Sequence, residues 1–320
     1  MRMPKVSVII PVYGVEKYIE RCARSLFEQT LDDIEYLFID DCTPDRSIEI
    51  LQQVLEEYPQ RKPQVVIHRM EKNSGQAAVR KWGMQNATGE YVIHCDSDDW
   101  ADTDMYRAMY EKAKHENVDV VVCDYAVTNG SSEYTYYKAC HSKSVKEFIE
   151  NTMLLNDNWS LCNKLIRRKL INDIVYPKGS MGEDMAIVIQ ILWKCQSFVY
   201  IEKAFYKYFY NTNSITKKKT IETCLRSFYQ VKDNLDLLIS LHNPQMLSPK
   251  MKSGFLYMKY LAKSHLLHLV NNNFYYMLWR DTYKDMLMPF LLSTYIPMNL
   301  KIKYLLTLVH IYPRKKDRII

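Results

Sequence analysis

The sequence predicts an α/β fold: a mostly parallel sheet flanked by helices, with a helical C-terminal region. Three observations carry this expectation. Four short, continuous apolar runs in the first hundred residues alternate with stretches of helical apolar spacing, as strands buried on both faces and joined by crossover helices do. Polar residues collect where each run ends. From about residue 220 the spacing is helical almost without interruption.

Residues 6–13 form the first strand, closed by Gly14, and residues 18–29 follow as a helix with Ile19, Cys22, Ala23, Leu26 and Phe27 on one face. The second strand, 34–39, ends in Asp40-Asp41-Cys42-Thr43-Pro44-Asp45 and leads to a helix over 47–57. The third, 65–68, runs through Asn73-Ser74-Gly75 into a helix that stops at Ala87-Thr88-Gly89. The fourth opens at Glu90, runs through His94-Cys95 and ends in Asp96-Ser97-Asp98-Asp99-Trp100. Residues 118–124 predict a further strand, 128–143 an exposed loop or hairpin, and Val145 the return of helix. Trp159 and the residues to Arg168 come next, then Gly182-Glu183-Asp184 opens a helix reaching about Cys195. A last strand is expected over 198–201. Pro289, Pro297 and Pro313 cut the C-terminal helices into short pieces. The expected division is 1–216 and 217–320.

Of the 320 residues, 48% are hydrophobic, enough for one large core or a core with an appendage. Eight cysteines without a Cys-x-x-Cys pair, and an opening that enters a strand without an apolar leader, predict a reducing, cytoplasmic setting. No run of 18 apolar residues predicts a membrane span. The net charge of +6 is uneven: residues 215–320 hold 17 Lys+Arg against 6 Asp+Glu, leaving 26 against 31 for the rest. Such a basic region suits nucleic acid, anionic headgroups or a phosphorylated substrate alike. Its last stretch mixes an apolar face with cations as an interfacial helix does, or as a tail helix packed on the domain.

Ligands bind outside the carboxyl ends of parallel strands, so Tyr13, Asp40, Asp41, Asn73, Arg80, Asp96 and Asp98 should converge on one crevice. Three carboxylates within four residues fit either a solvated turn or a hard cation such as Mg²⁺ or Mn²⁺ that also takes phosphate oxygens. Neither a Gly-x-Gly-x-x-Gly nor a Gly-x-x-x-x-Gly-Lys-Ser/Thr loop is present, so phosphate charge must be met otherwise. Glu183 and Asp184 in a first helical turn either complement the helix dipole or supply a general base. Cys42 and Cys95 read as small buried hydrophobes, and His68 and His94 as core or lining residues.

Taken together, residues 6–13, the turn at Asp40 to Ser47, Asn73-Ser74-Gly75 with Arg80, Asp96-Ser97-Asp98-Asp99 and Gly182-Glu183-Asp184 resemble the family 2 glycosyltransferases. That resemblance covers roughly residues 4–216. It implies a GT-A fold and inverting transfer from a nucleotide sugar, UDP-linked, in bacterial surface-polysaccharide synthesis. It further implies that Pro11 and Tyr13 pack on the donor base, that Asp41 hydrogen-bonds it, and that Asn73 and Arg80 flank base and ribose-phosphate. Asp96 would address the ribose and metal shell, Asp98 would ligate Mn²⁺ or Mg²⁺, and Asp184 would be the base, with Glu183 the alternative. Ser214 belongs to the loop expected to close over the diphosphate. The arginine common before that loop is missing, which leaves its charge to Lys207 or Lys217 to Lys219. Trp100 and Trp159 are candidate platforms for the acceptor sugar or else core residues.

The expected partners are a nucleotide-sugar donor, a glycan or lipid-diphosphate-linked acceptor, and an anionic membrane at the inner face of the cell membrane. A metal-dependent nucleotidyltransferase or sugar-nucleotide hydrolase is the rival enzyme. The sequence lacks the basic, Gly-rich triphosphate loop that nucleotidyl transfer calls for. A nucleic-acid-binding protein would leave the acidic cluster unexplained, and no nucleic-acid partner is expected.

Overall fold

The structure, a computed structural model, describes residues 3–130, 133–139, 141–210 and 219–312. Chain order is β1 (Val6–Val12), α1 (Ile19–Phe27), β2 (Ile34–Asp40), α2 (Ser47–Glu56), β3 (Val65–Arg69), α3 (Gln76–Asn86), β4 (Tyr91–His94) and β5 (Trp100–Ala101). There follow α4 (Met105–Glu116), β6 (Val120–Thr128), β7 (Thr135–Tyr137), α5 (Val145–Met153), β8 (Lys164–Arg167), α6 (Glu183–Lys194) and β9 (Phe198–Phe209). The rest is helical: α7 (Ile221–Ser240), α8 (Pro249–Ser264), α9 (Asn273–Asp281), α10 (Leu287–Leu292) and α11 (Met298–Leu308). Packing divides the chain into one unit of Met1–Val145, Trp159–Tyr176 and Gln190–Asn211 and a second of Lys146–Asn158, Pro177–Ile189 and Thr212–Ile320. Besides the segment after residue 216, the second unit thus takes in two stretches from earlier in the chain.

In the first unit the sheet order is β3-β2-β1-β4-β8-β6-β9-β5, with β7 hairpinned on β6. β1 to β4 are mutually parallel, β8 runs against them, and β6 and β9 return to their direction. The α/β expectation is borne out. β1 pairs Val12 with Asp40 on one side and Ile9 with His94 on the other, so both acidic turns leave the same edge of the sheet. β1 and β4 are covered on both faces, which is why they read as unbroken apolar runs. Gly89 lets β4 begin against β1, because a Cβ there would lie 2.6 Å from the Ser7 amide nitrogen.

Two elements differ from the sequence expectation. β8, four residues with charged ends, was not anticipated; its Ile166 and Arg167 pair with Val92 and Tyr91. β9 continues past residue 201 to Phe209, following β6 through a register shift near Asp124.

The second unit gathers Phe228, Tyr260, Leu266, Trp279, Phe290 and Tyr304 into its own core. Thr220 caps α7 through a reciprocal bond with Thr223, and Ser248 caps α8 ahead of Pro249. Pro297 stands just before α11, in line with the expected interruption. Among the described residues, no helix is long and apolar enough to cross a membrane.

Candidate active site

The edge where β1, β2 and β4 end is fastened by its own side chains. After β1, the Gly14, Val15 and Glu16 amides donate to Thr43, Ser47 and Asp45. Asp40 is buried and accepts from the Thr43 amide at 2.7 Å and from Arg69 at 3.0 Å. Asp41 accepts from the amides of Ser74 (2.7 Å) and Gly75 (2.8 Å), pinning the loop that carries exposed Asn73. Any contact of Asp41 with a ligand would use its remaining lone pairs. The Pro11 carbonyl accepts from Ser97 at 2.6 Å, which ties β1 to the acidic turn, while Tyr13 is 45% exposed at the strand end.

Three carboxylates follow β4, each in different company. Asp96 accepts from buried Arg80 at 2.9 Å and from Gln76 at 3.4 Å. Asp99 is buried and clamps β9, accepting from the Tyr206 hydroxyl at 2.5 Å and the Phe209 amide at 2.7 Å. That same hydroxyl accepts from the Asp96 amide. Burial, with Asp98 and Asp96 nearby, pushes the Asp99 carboxyl well above its ordinary range. Asp98 is pushed up to about 6 by burial and by Asp96. Among the described residues, no side-chain hydrogen bond or ion pair holds its carboxylate. Hard oxygens crowded in this way fit a divalent cation. No group of three His, Cys, Asp or Glu among the described residues is placed to hold a metal, so other ligands would have to come from water and phosphate.

Arg21 donates to the Asp98 carbonyl at 2.8 Å and lies 3.7 Å from the Trp100 ring centroid, so one face of Trp100 is already covered. Trp159 is half-buried. Lys207 pairs with Asp102 at 3.2 Å and so is engaged within the first unit. Ser214, Lys217 and Lys218 lie outside the described residues, and Lys219 sits 2.5 Å from His268. A cavity of about 720 Å³ lined by Lys81, Met84, Arg168, Ile171 and Tyr176 lies by the C-terminal half of α3, away from the acidic turn.

Glu183 (buried) and Asp184 (half-buried) occupy the first turn of α6. In the second unit, the loop before them is held by α7. Asn234 donates to the carbonyls of Gly179 (2.8 Å) and Met181 (2.9 Å), and the Gln230 side-chain oxygen accepts from the Met181 amide at 3.1 Å. Gly182 turns the chain at φ +77° against Val231, a conformation that side chains rarely adopt.

Residues 7–175 match the family described as glycosyl transferase family 2, just over half the chain. The chain belongs to this family. The glycosyltransferase GlyA of Streptococcus pneumoniae serotype 4 is 26% identical over 224 residues, 67% of this chain but 32% of that relative, so the chain spans about a third of its length. The fold resembles Staphylococcus aureus TarS 1–349 in complex with UDP-GlcNAc, with a TM-score of 0.60 at 16% identity, covering 94% of this chain and 91% of that one. It also resembles the mannosyltransferase PcManGT of Pyrobaculum calidifontis in complex with GDP-Man and Mn²⁺, with a TM-score of 0.57 at 15% identity and coverage of 95% and 88%.

The chain therefore carries a glycosyl transferase family 2 domain with a GT-A fold. In this family 2 domain and the helical unit beside it in sequence, the sequence did not pick out Tyr206, Arg21, Gln230 or Asn234. Asn234 left a trace: it falls on the buried stripe of α7 with Phe228, Val231, Leu235 and Leu238, where an amide needs partners. Tyr206 left none, because its role depends on how β9 pairs.

Proposed function

We propose that the chain transfers a sugar, with inversion, from a UDP-linked donor to a hydroxyl of a glycan or lipid-diphosphate-linked acceptor in bacterial surface-polysaccharide synthesis. The work takes place at the cytoplasmic face of the membrane. The observation that carries the reading is the half-buried Asp98 carboxylate beside Asp96 at the strand edge, pushed up by burial and by Asp96 with only nearby Arg21 and its own amide to offset it. A nucleotide-sugar-bound relative of the same fold adds support.

In this reading Tyr13 and Pro11 lie against the base, Asp41 and Asn73 address its edge, and Arg80 keeps Asp96 turned toward the ribose. Ser214, which follows β9 in sequence, contributes to the diphosphate side. Asp98 is the protein ligand for Mn²⁺ or Mg²⁺, which when bound would neutralise charge developing on the leaving diphosphate. Asp184, with Glu183 as its neighbour, takes the proton from the acceptor hydroxyl as that oxygen bonds to the anomeric carbon and the bond to the diphosphate breaks. Trp100 or Trp159 supplies an apolar face to the acceptor sugar.

The test is thermal stabilisation by a panel of nucleotide sugars with and without Mn²⁺, followed by turnover with the donor that stabilises most. Asp98→Asn is expected to lose the Mn²⁺-dependent rise. Asp184→Asn is expected to keep the rise and lose about 10²-fold or more in kcat. A metal-dependent rise that survives Asp98→Asn overturns the metal assignment, and near-normal turnover in Asp184→Asn overturns the base.

A further inference from the structure

α11 presents apolar side chains on both sides. Facing the core are buried Lys301, Tyr304 and Thr307 with Leu300 and Leu308 packed beside them, whereas Met298, Ile302, Leu305 and, at the C-cap, Val309 are 44–65% exposed. At 100° per residue those four fall within an arc of about 60°, one continuous apolar stripe along the helix. The inward polar groups are satisfied: Lys301 donates to the Ser293 carbonyl at 2.5 Å, Thr307 to the Lys303 carbonyl at 2.8 Å, and the Tyr304 hydroxyl accepts from Lys263 at 3.0 Å. Rolling the helix to bury the stripe would break the bonds of Lys301 to Ser293 and of Tyr304 to Lys263, so the apolar face is fixed outward. Met288 and Leu292 of α10 are exposed as well, at 59% and 73%. Soluble surfaces seldom present apolar side chains in such a row unless something covers them.

We propose that the outward face of α11 lies in the interface of an anionic lipid bilayer. Charge selects this occupant: residues 219–312 carry 11 Lys+Arg against 5 Asp+Glu, still in excess with buried Lys263 and Lys301 set aside, which draws the unit to anionic headgroups and makes two copies repel each other. Width agrees, since a stripe one side chain across falls short of the roughly 800 Å² per partner that a stable protein pair buries, but suffices for shallow insertion. The inference deepens the membrane location proposed above and rests on it. It adds that apolar insertion by Met298, Ile302, Leu305 and Val309, rather than charge alone, holds the protein there.

The experiment is co-sedimentation of the full chain with phosphatidylcholine vesicles, with and without phosphatidylglycerol. The unaltered protein is expected to pellet with the anionic vesicles. The double variant Ile302→Glu with Leu305→Glu, and separately Met298→Ser with Val309→Ser, is expected to bind at least about tenfold more weakly while its nucleotide-induced thermal shift is unchanged. If the unaltered chain pellets with neither vesicle, the membrane location fails with the inference. If the variants bind as well as the parent, charge alone suffices and only the stripe is overturned. A dimer in sedimentation velocity that the variants dissociate would name a second copy as occupant and overturn the lipid assignment. Sugar transfer to a soluble acceptor, measured alongside, reports on the enzyme reading independently.

Discussion

The acids after β4 and the acids opening α6 rest on supports of different kinds. Asp96, Asp98 and Asp99 hang from a strand bonded to β1 and β8, and their turn is tied down by Ser97, Arg80 and Tyr206. The loop before Glu183 and Asp184 is gripped by two side chains of α7, Gln230 and Asn234. A main-chain ladder tolerates changes in most side chains, whereas a two-residue grip does not. Damage to the first region should therefore appear as lost stability, and damage to the second as lost turnover in a protein that still folds.

The largest stability effect is expected for Gly89→Ala. The new Cβ would meet the Ser7 amide at 2.6 Å and the Val6 carbonyl carbon at 2.9 Å, backbone on which β1 and β4 depend. A cost of about 3 kcal/mol is expected in urea unfolding. A cost under about 1 kcal/mol would mean that β4 shifts freely, and the contrast of rigid sheet with adjustable loop would fail. Tyr206→Phe comes next. It removes the hydroxyl that accepts from the Asp96 amide and donates to Asp99, at a cost of about 2 kcal/mol. It should also weaken Mn²⁺-dependent donor binding, read by thermal shift, because the acidic turn loses its tie to β9.

Legibility follows the same contrast. β1, β2 and β4 could be read because burial on both faces forces unbroken apolar runs, and the acids after β2 and β4 stood out against them. β8 could not: it is four residues long, begins with Lys164 and ends with Arg167, and is recognised as a strand only by its neighbours β4 and β6. The Asn73-Ser74-Gly75 loop was legible as a site, yet its attachment to Asp41 was not, because the two are about 33 residues apart and meet through main-chain amides. The α7 grip was hidden for the same reason: helical spacing shows that Asn234 faces inward but not which carbonyls await it.

Asn234→Leu probes that grip directly. Two carbonyls, of Gly179 and Met181, lose their donor, and because both residues are half-buried the expected cost is about 1–2 kcal/mol. Turnover should fall more than stability suggests, roughly tenfold or more, since a small displacement of a base is costly. KM for the donor should be unchanged. In an Asp184→Asn background the same substitution should add little, because groups that act as a unit are not additive. Equal loss in both backgrounds would show a purely structural role.

A pH-dependent effect, small at any one pH step, tests whether polar support inside the helical unit also comes from single side chains. Lys263 is fully buried, donates to the Thr282 carbonyl at 2.8 Å and the Tyr304 hydroxyl at 3.0 Å, and lies 4.6 Å from the Trp279 ring centroid. Burial lowers its ammonium from the ordinary value to about 7. Between pH 7 and the ordinary lysine range the unfolded chain holds a proton that the folded one lacks. Stability should therefore rise with pH in that window, by up to about 1.4 kcal/mol per pH unit, and show no slope from this group below it. Lys263→Met removes the titration. Unfolding free energies of parent minus variant, measured at pH 7, 8 and 9, should climb accordingly, which cancels the contributions of the buried cysteines common to both proteins. A flat difference would mean that the rings of Trp279 and Tyr304 keep the ammonium charged, and that the helical unit is braced by a cation rather than a neutral amine.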